Sequence, residues 1–150
     1  MKIMVCTDGS KHSKKAIREA LLVAEGCNAN EVAIIHVHDH NSTTVYPYAN
    51  LGMNPEFIKQ LQKISDKEKS EWEKKLSEYT KLFEDKHIKA RIILKEGHAS
   101  DTIVKIAQKE GFDMIVVGSR GLGGLEKMLL GSVSNAIIQE AKDCSVLVVK

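Results

Sequence analysis

"VVGSRGLGGLEKMLLGSVSNAI", residues 116–137, runs from a β-branched pair through a glycine-rich stretch into an apolar segment of helical character. Gly118, Gly121, Gly123, Gly124 and Gly131 fall within fourteen residues, half of all the glycine in the chain. Glycine tolerates positive φ and close backbone approach, so such a cluster after a strand lets several N–H groups face one concavity. Gly131 and Ser132 then open a helix whose first N–H groups have no internal partners. Together these features describe an anion site with phosphate as its usual occupant, to which Ser132 and Ser134 can add hydroxyl donors. The same residues also read as plain turns with Ser132 capping the helix. Either way, a strand ends and a helix begins here.

The same junction recurs along the chain. "KIMVCT" (2–7) is short, β-rich and ends at "DGS", where Ser10 can cap a helix. Ala16, Ile17, Ala20, Leu21 and Ala24 repeat at helical spacing until Gly26 stops them. "EVAIIHVH" (31–38) is a second strand, followed by a long polar loop over 39–54, either functional or mobile at that length. Asn54 caps and Pro55 starts a helix whose buried stripe is Phe57, Leu61, Ile64, Trp72, Leu76, Tyr79 and Phe83. A strand over 89–97, a helix over 100–110 closed by Gly111, a strand over 113–119, a helix over 132–141 and a strand over 145–149 complete the order. Five strands alternating with four helices predict a doubly wound parallel sheet with helices on both faces. Strands one, four and five are continuously apolar, as strands buried on both faces should be. Such sheets bind ligands at the carboxyl ends of strands where the winding reverses. No internal repeat or linker divides residues 1–150, which read as one domain.

Composition narrows the function classes. Apolar residues make up 43% and charged residues 28%, as in an ordinary soluble protein. A net charge of +2 is too small to imply a nucleic-acid partner. No apolar run approaches the ~18 residues that would span a membrane. Three cysteines without CxxC or metal-ligand spacing, and no signal peptide, predict a reducing, cytoplasmic setting.

Two common nucleotide motifs are absent: no GxxxxGK[ST], and no GxGxxG. Gly118-x2-Gly121-x9-Gly131-Ser132 is present instead. It resembles the ATP-binding signature of the universal stress protein family. The resemblance extends along the chain: "DGS" after strand one, "HV" near the end of strand two, "EG" after strand three and "VLVV" near the terminus. It implies a Rossmann-like adenine nucleotide-binding fold with strand order 3-2-1-4-5, with ATP and magnesium as the ligand. By resemblance, Gly118, Gly121, Gly131, Ser132 and Val133 hold ribose and phosphates, Asp8 lies near the ribose, and the backbone of Val37 meets the adenine edge. Thr7 and Ser119, the neighbours of Asp8 and Gly118, complete the expected site with Ser134. A carboxylate at Asp8 suits ribose hydroxyls and would repel bare phosphates; a turn or cap role in "TDGS" is the other reading of the same residue.

His36, His38 and His40 alternate and would share one face of an extended strand, a spacing compatible with zinc. Neither a carboxylate nor a cysteine completes the set in sequence. Cys6 reads as a buried strand residue, with no base to make it a nucleophile. The residues supply binding groups but no evident catalytic set, so the first expectation is an ATP-binding regulatory protein. The second is a slow ATP-hydrolysing or phosphate-transferring enzyme. "SVLVVK" would leave an open sheet edge, where antiparallel pairing with a second copy gives a homodimer, as the resemblance also implies. The identity of any protein partner is not written in these residues.

Overall fold

A computed structural model describes residues 1–38, 54–123 and 130–150, with the side chains of Ile58 and Leu61 excepted. The elements are β1 (Lys2–Cys6), α1 (Lys11–Gly26), β2 (Glu31–His38), α2 (Pro55–Glu84), β3 (Ala90–Glu96), α3 (Ala99–Glu110), β4 (Met114–Gly118), α4 (Ser132–Glu140) and β5 (Ser145–Val149). All strand pairs are parallel and the order is β3-β2-β1-β4-β5. The alternation of strands and helices and the implied strand order are both met. The winding reverses between β1 and β4, so the carboxyl ends of these two strands border the crevice where such sheets take ligands.

Strand periodicity divides the core in two. Ile3 and Val5 face α1 and α2 and pack with Ala16, Ile17, Ala20, Leu76 and Phe83. Met4 and Cys6 face the other way, toward Ile103, Val104 and Ala107 of α3 and Ile137 of α4. β1 and β4 are buried on both faces, as their continuous apolar runs require. β5 departs from that expectation: Ser145 is exposed and Val146 to Val148 are only partly buried. It is an edge strand, with β4 on one side alone.

The caps follow local chemistry. The Ser10 hydroxyl accepts the Ser13 N–H at 3.1 Å, and Asn54 Oδ1 accepts the Glu56 N–H at 2.9 Å beside Pro55. Gly111 closes α3 in the left-handed region at φ 66°. Gly26 does not play the same part. It is the last residue of α1, and Asn28 two positions on takes the positive φ of 48°. Asparagine supports that conformation through its short polar side chain.

Among the described side chains, which leave out Leu61, the buried stripe expected along α2 holds only for its second half. Leu76 and Phe83 are fully buried and Trp72 and Tyr79 pack on the core, whereas Phe57 and Ile64 are 46% and 50% exposed. Thirty residues of helix reach roughly 45 Å, while an eight-residue strand spans only about 27 Å. The sheet is too short to cover the whole helix. Among the described residues, no helix is long and apolar enough to cross a membrane.

Candidate functional site

A cavity of about 540 Å³ opens at the carboxyl edge of β1 and β4. That size lies within the usual range for small-molecule sites. Of the residues expected from sequence, Thr7, Asp8, Val37, Gly118, Gly121, Gly131, Ser132, Val133 and Ser134 line it. Ser119 does not: it is 1% exposed and serves as scaffold behind the wall. Its N–H donates to Val149 O at 2.7 Å, and its carbonyl accepts the Gly131 N–H at 2.7 Å and the Ser134 hydroxyl at 3.0 Å.

α4 points its N-terminus at this cavity. Gly131 is the N-cap in extended conformation and makes no side-chain cap bond. The alternative of Ser132 as the capping residue therefore does not describe this end. The helical ladder begins only with Asn135 N–H to Gly131 O at 3.0 Å. The first-turn N–H groups before it belong to Ser132, Val133 and Ser134, on the cavity wall, where the helix dipole favours an anion. The Ser134 hydroxyl is committed elsewhere, since its proton is directed at Ser119 O and Gly131 O. That leaves the Ser132 side chain as the hydroxyl donor of the pair.

The glycines divide by what a side chain would strike. A Cβ on Gly118 would lie 2.8 Å from His12 C and 2.9 Å from Ser13 N, in the backbone of α1. Gly118 is small so that α1 can pack against β4. A Cβ on Gly121 would stand 2.7 Å from Asp8 Oδ2. Gly131 differs, because its Cβ would find only ordinary contacts of 3.5–3.6 Å. Among the described residues, nothing requires glycine there.

Asp8 joins the two sides of the crevice. Its Oδ1 accepts the Ser10 N–H at 2.9 Å, a turn of the kind "TDGS" foretells, and its Oδ2 accepts the Leu122 N–H at 3.1 Å. The carboxylate thereby ties the end of β1 to the glycine loop. A carboxylate has about four acceptor positions, and the described residues occupy two of them. Ser10 adds a second tether, its hydroxyl reaching Arg120 O at 3.4 Å.

Several wall residues were not foreseen. Ile35, Ala99, Ile103 and Val117 make the far end apolar. Arg120 also lines the cavity, and its Nε is buried without a partner among the described residues. A permanent cation between two glycines in "GSRG" was the available signal. Cys6 borders the cavity, but burial, with the Asp8 charge adding to it, pushes its thiol pKa well up. It stays protonated and unreactive.

His36 and His38 do share a face, the one opposite Val37, and they line a second cleft of about 270 Å³ against α2. His36 stacks on Trp72 with ring centroids 3.5 Å apart and planes 15° from parallel. Its Nδ1 meets Thr7 O at 2.8 Å. His40 lies outside the described residues, as do residues 39–53 of the expected loop 39–54. Among the described residues, no group of three or more His, Cys, Asp or Glu is arranged to hold a metal ion.

Comparison with known proteins agrees with this fold. The profile of the universal stress protein family matches residues 1–150. Universal stress protein MJ0531 of Methanocaldococcus jannaschii is 36% identical over 149 residues, 99% of this chain and 81% of the relative. The structure of protein MJ0577 from the same organism superposes with a TM-score of 0.82 at 30% identity, covering 99% of this chain and 94% of that one. A family member from Arabidopsis thaliana, solved with AMP bound, shares the fold with a TM-score of 0.62 at 20% identity, covering 100% of this chain and 91% of that one. With the family profile matching from end to end and a relative above one-third identity over almost the whole length, this chain belongs to the universal stress protein family.

Proposed function

We propose that the cavity binds an adenine nucleotide, ATP with magnesium, and that the protein acts as a nucleotide-dependent regulatory module. The observation that carries this reading is the end of α4, which opens into the cavity at Gly131 without a side-chain cap. Phosphates would sit against the backbone of Gly121, Gly131 and Ser132, with Arg120 as a cation on the wall. The ribose would meet the spare acceptor positions of Asp8, and the adenine would fill the apolar end beside Val37, Ile35 and Ile103. Magnesium would enter on the phosphates, since it keeps most of its own waters and needs few protein ligands. Gly118 shapes the site from the cavity wall and Ser119 from behind it. The AMP-bound family member agrees with this ligand class.

Saturating Mg-ATP is expected to stabilise the fold by mass action. At ~100 times the dissociation constant the gain is about 2.7 kcal/mol, or roughly 5–10 °C in Tm for a chain of this size. An unchanged melting curve at several millimolar Mg-ATP overturns the reading. A phosphate-release assay with a Gly121 variant as control separates a binding module from a slow hydrolase. Turnover lost in the variant identifies an enzyme; tight binding without turnover identifies the module.

Asp8→Ala is expected to weaken ATP by about 1–3 kcal/mol in calorimetry, the value of charge-assisted bonds to the ribose. It should also cost about 1 kcal/mol of stability, because the Ser10 and Leu122 N–H groups lose their acceptor. Unchanged affinity in a less stable variant would leave Asp8 the turn role alone. We further propose that the open edge of β5 forms a homodimer interface.

A further inference from the structure

The Trp72 cleft lies across the sheet from the nucleotide cavity, yet both touch the Thr7–Gly9 turn. On the cavity side are Thr7 and Asp8. On the other side, a Cβ at Gly9 would come within 3.1 Å of Trp72 Cη2, in a residue held at φ +79°. His36 bridges the two by approaching Thr7 O through Nδ1 while stacking on Trp72. A carbonyl cannot donate, so Nδ1 carries the hydrogen and neutral His36 bears its lone pair on Nε2. That nitrogen is buried and has no partner among the described residues, in a side chain only 7% exposed.

We propose that His36 is a proton-operated coupling between the Trp72 cleft and the nucleotide cavity: proton uptake at Nε2 withdraws the imidazole from Thr7 and Trp72 and weakens nucleotide binding. This rests on the nucleotide reading above. Neutral His36 leaves an unused lone pair in the interior, a smaller cost than a buried charge. Protonated His36 places a full charge and a new N–H there with no acceptor described beside it, which is far more costly. The cation relieves that cost by moving into the cleft, toward the Glu68 carboxylate, which already stands 3.9 Å from His38 Nε2. Thr7 O then loses its donor, and Trp72, which packs beside Gly9, loses its stacking partner. Asp8, between Thr7 and Gly9, is the residue that holds the Leu122 N–H of the glycine loop.

The charges around His36 come from every neighbouring element. Burial is the largest influence and lowers its pKa; the Thr7 bond and Asp8 on the β1 side raise it, and His38 of β2 and Lys75 of α2 lower it. Lys75 sits 4.4 Å from the Trp72 ring, while Glu68 and Lys69 of α2 and Lys95 and Glu96 of β3 line the cleft. The net direction is downward. The unfolded chain therefore takes up this proton first as pH falls below about 6.5. The contribution to stability is complete above that pH, declines below it, and levels off once native His36 is also protonated.

Trp72 is the sole tryptophan, so its fluorescence reports directly on the stack. Without nucleotide, acidification from about pH 7.5 should produce a fluorescence step below about pH 6.5 that is absent in His36→Gln, whose side-chain amide can still donate to Thr7 O. ATP affinity should fall about fivefold more in the wild type than in His36→Gln between about pH 7.5 and pH 5.5, the lower end of ordinary coupling. The comparison cancels the nucleotide's own phosphate ionisation. In the wild type alone, saturating ATP must move the fluorescence step to lower pH, since coupling is reciprocal. ATP binding with identical pH profiles in both proteins, or a step that ATP does not move, overturns the coupling alone. No ATP binding at about pH 7.5 overturns the nucleotide reading, and the coupling with it.

Discussion

Gly118→Ala is expected to destabilise the fold by about 2–3 kcal/mol, whereas Gly131→Val should leave stability within about 1 kcal/mol and lose nucleotide. The two glycines bracket one signature, so the contrast separates what the scaffold needs from what the ligand needs. A Cβ on Gly118 meets the main chain of His12 and Ser13, which cannot swing aside as a side-chain tip would. Either α1 moves off β4 or the strand end bends, and both disturb the packing of the fully buried Ala16 and Ile17. At Gly131 the backbone is already extended, and a Cβ meets Arg120, Gly121 and Ser119 only at van der Waals distance. The added methyl groups would stand at the mouth of α4, over the N–H groups assigned to phosphate. Urea unfolding should show the first effect and calorimetry the second, as at least a tenfold loss of ATP affinity, about 1.4 kcal/mol. Full affinity in a folded Gly131→Val protein would place the phosphates elsewhere.

That contrast marks how far a one-dimensional pattern carries. The alternation of apolar strands with periodic helices was enough to predict five parallel strands covered on both faces, because each period is set by backbone geometry alone. Most caps were legible for the same reason: Ser10, Asn54, Pro55 and Gly111 act within a few residues of themselves. Where a role depends on a distant neighbour, the letters were ambiguous. Gly118 answers to α1, more than one hundred residues earlier in the chain, and Gly121 answers to Asp8. Ser134 looks like a surface hydroxyl but is 2% exposed and turned toward carbonyls. The apolar repeat of α2 begins at Phe57, yet among the described side chains burial begins near Trp72, because helix periodicity carries no information about the width of the sheet. Helix α3 starts one residue before Ser100, with His98 at its cap and Ser100 buried against the sheet side. No short motif demands Arg120, though its buried Nε makes it a prominent polar group of the cavity wall.

Val148→Pro is expected to convert a dimer into monomers or aggregates while leaving the sheet of each subunit intact. Ser145 N–H donates to Asp113 O, and Ser119 N–H reaches back to Val149 O, so residues 145 and 149 direct their backbone groups toward β4 and its flanks. In a parallel ladder alternate residues face opposite neighbours, which leaves the N–H and C=O of Val146 and Val148 facing away from β4. No charged residue or proline lies within 145–149 to blunt that edge. A second copy can satisfy these groups only by antiparallel pairing about a two-fold axis. The side chains of Val146 and Val148 turn toward the α3–α4 face, where α4 leaves Ile138 42% exposed, so the ladder would be flanked by apolar surface on that face. Proline at 148 deletes one outward donor and crowds the approaching strand without touching an inward bond. Light scattering should report a dimer for the wild type and a loss of that species for the variant. A wild-type monomer at high micromolar concentration, or a Val148→Pro protein that remains dimeric, would move the interface away from β5.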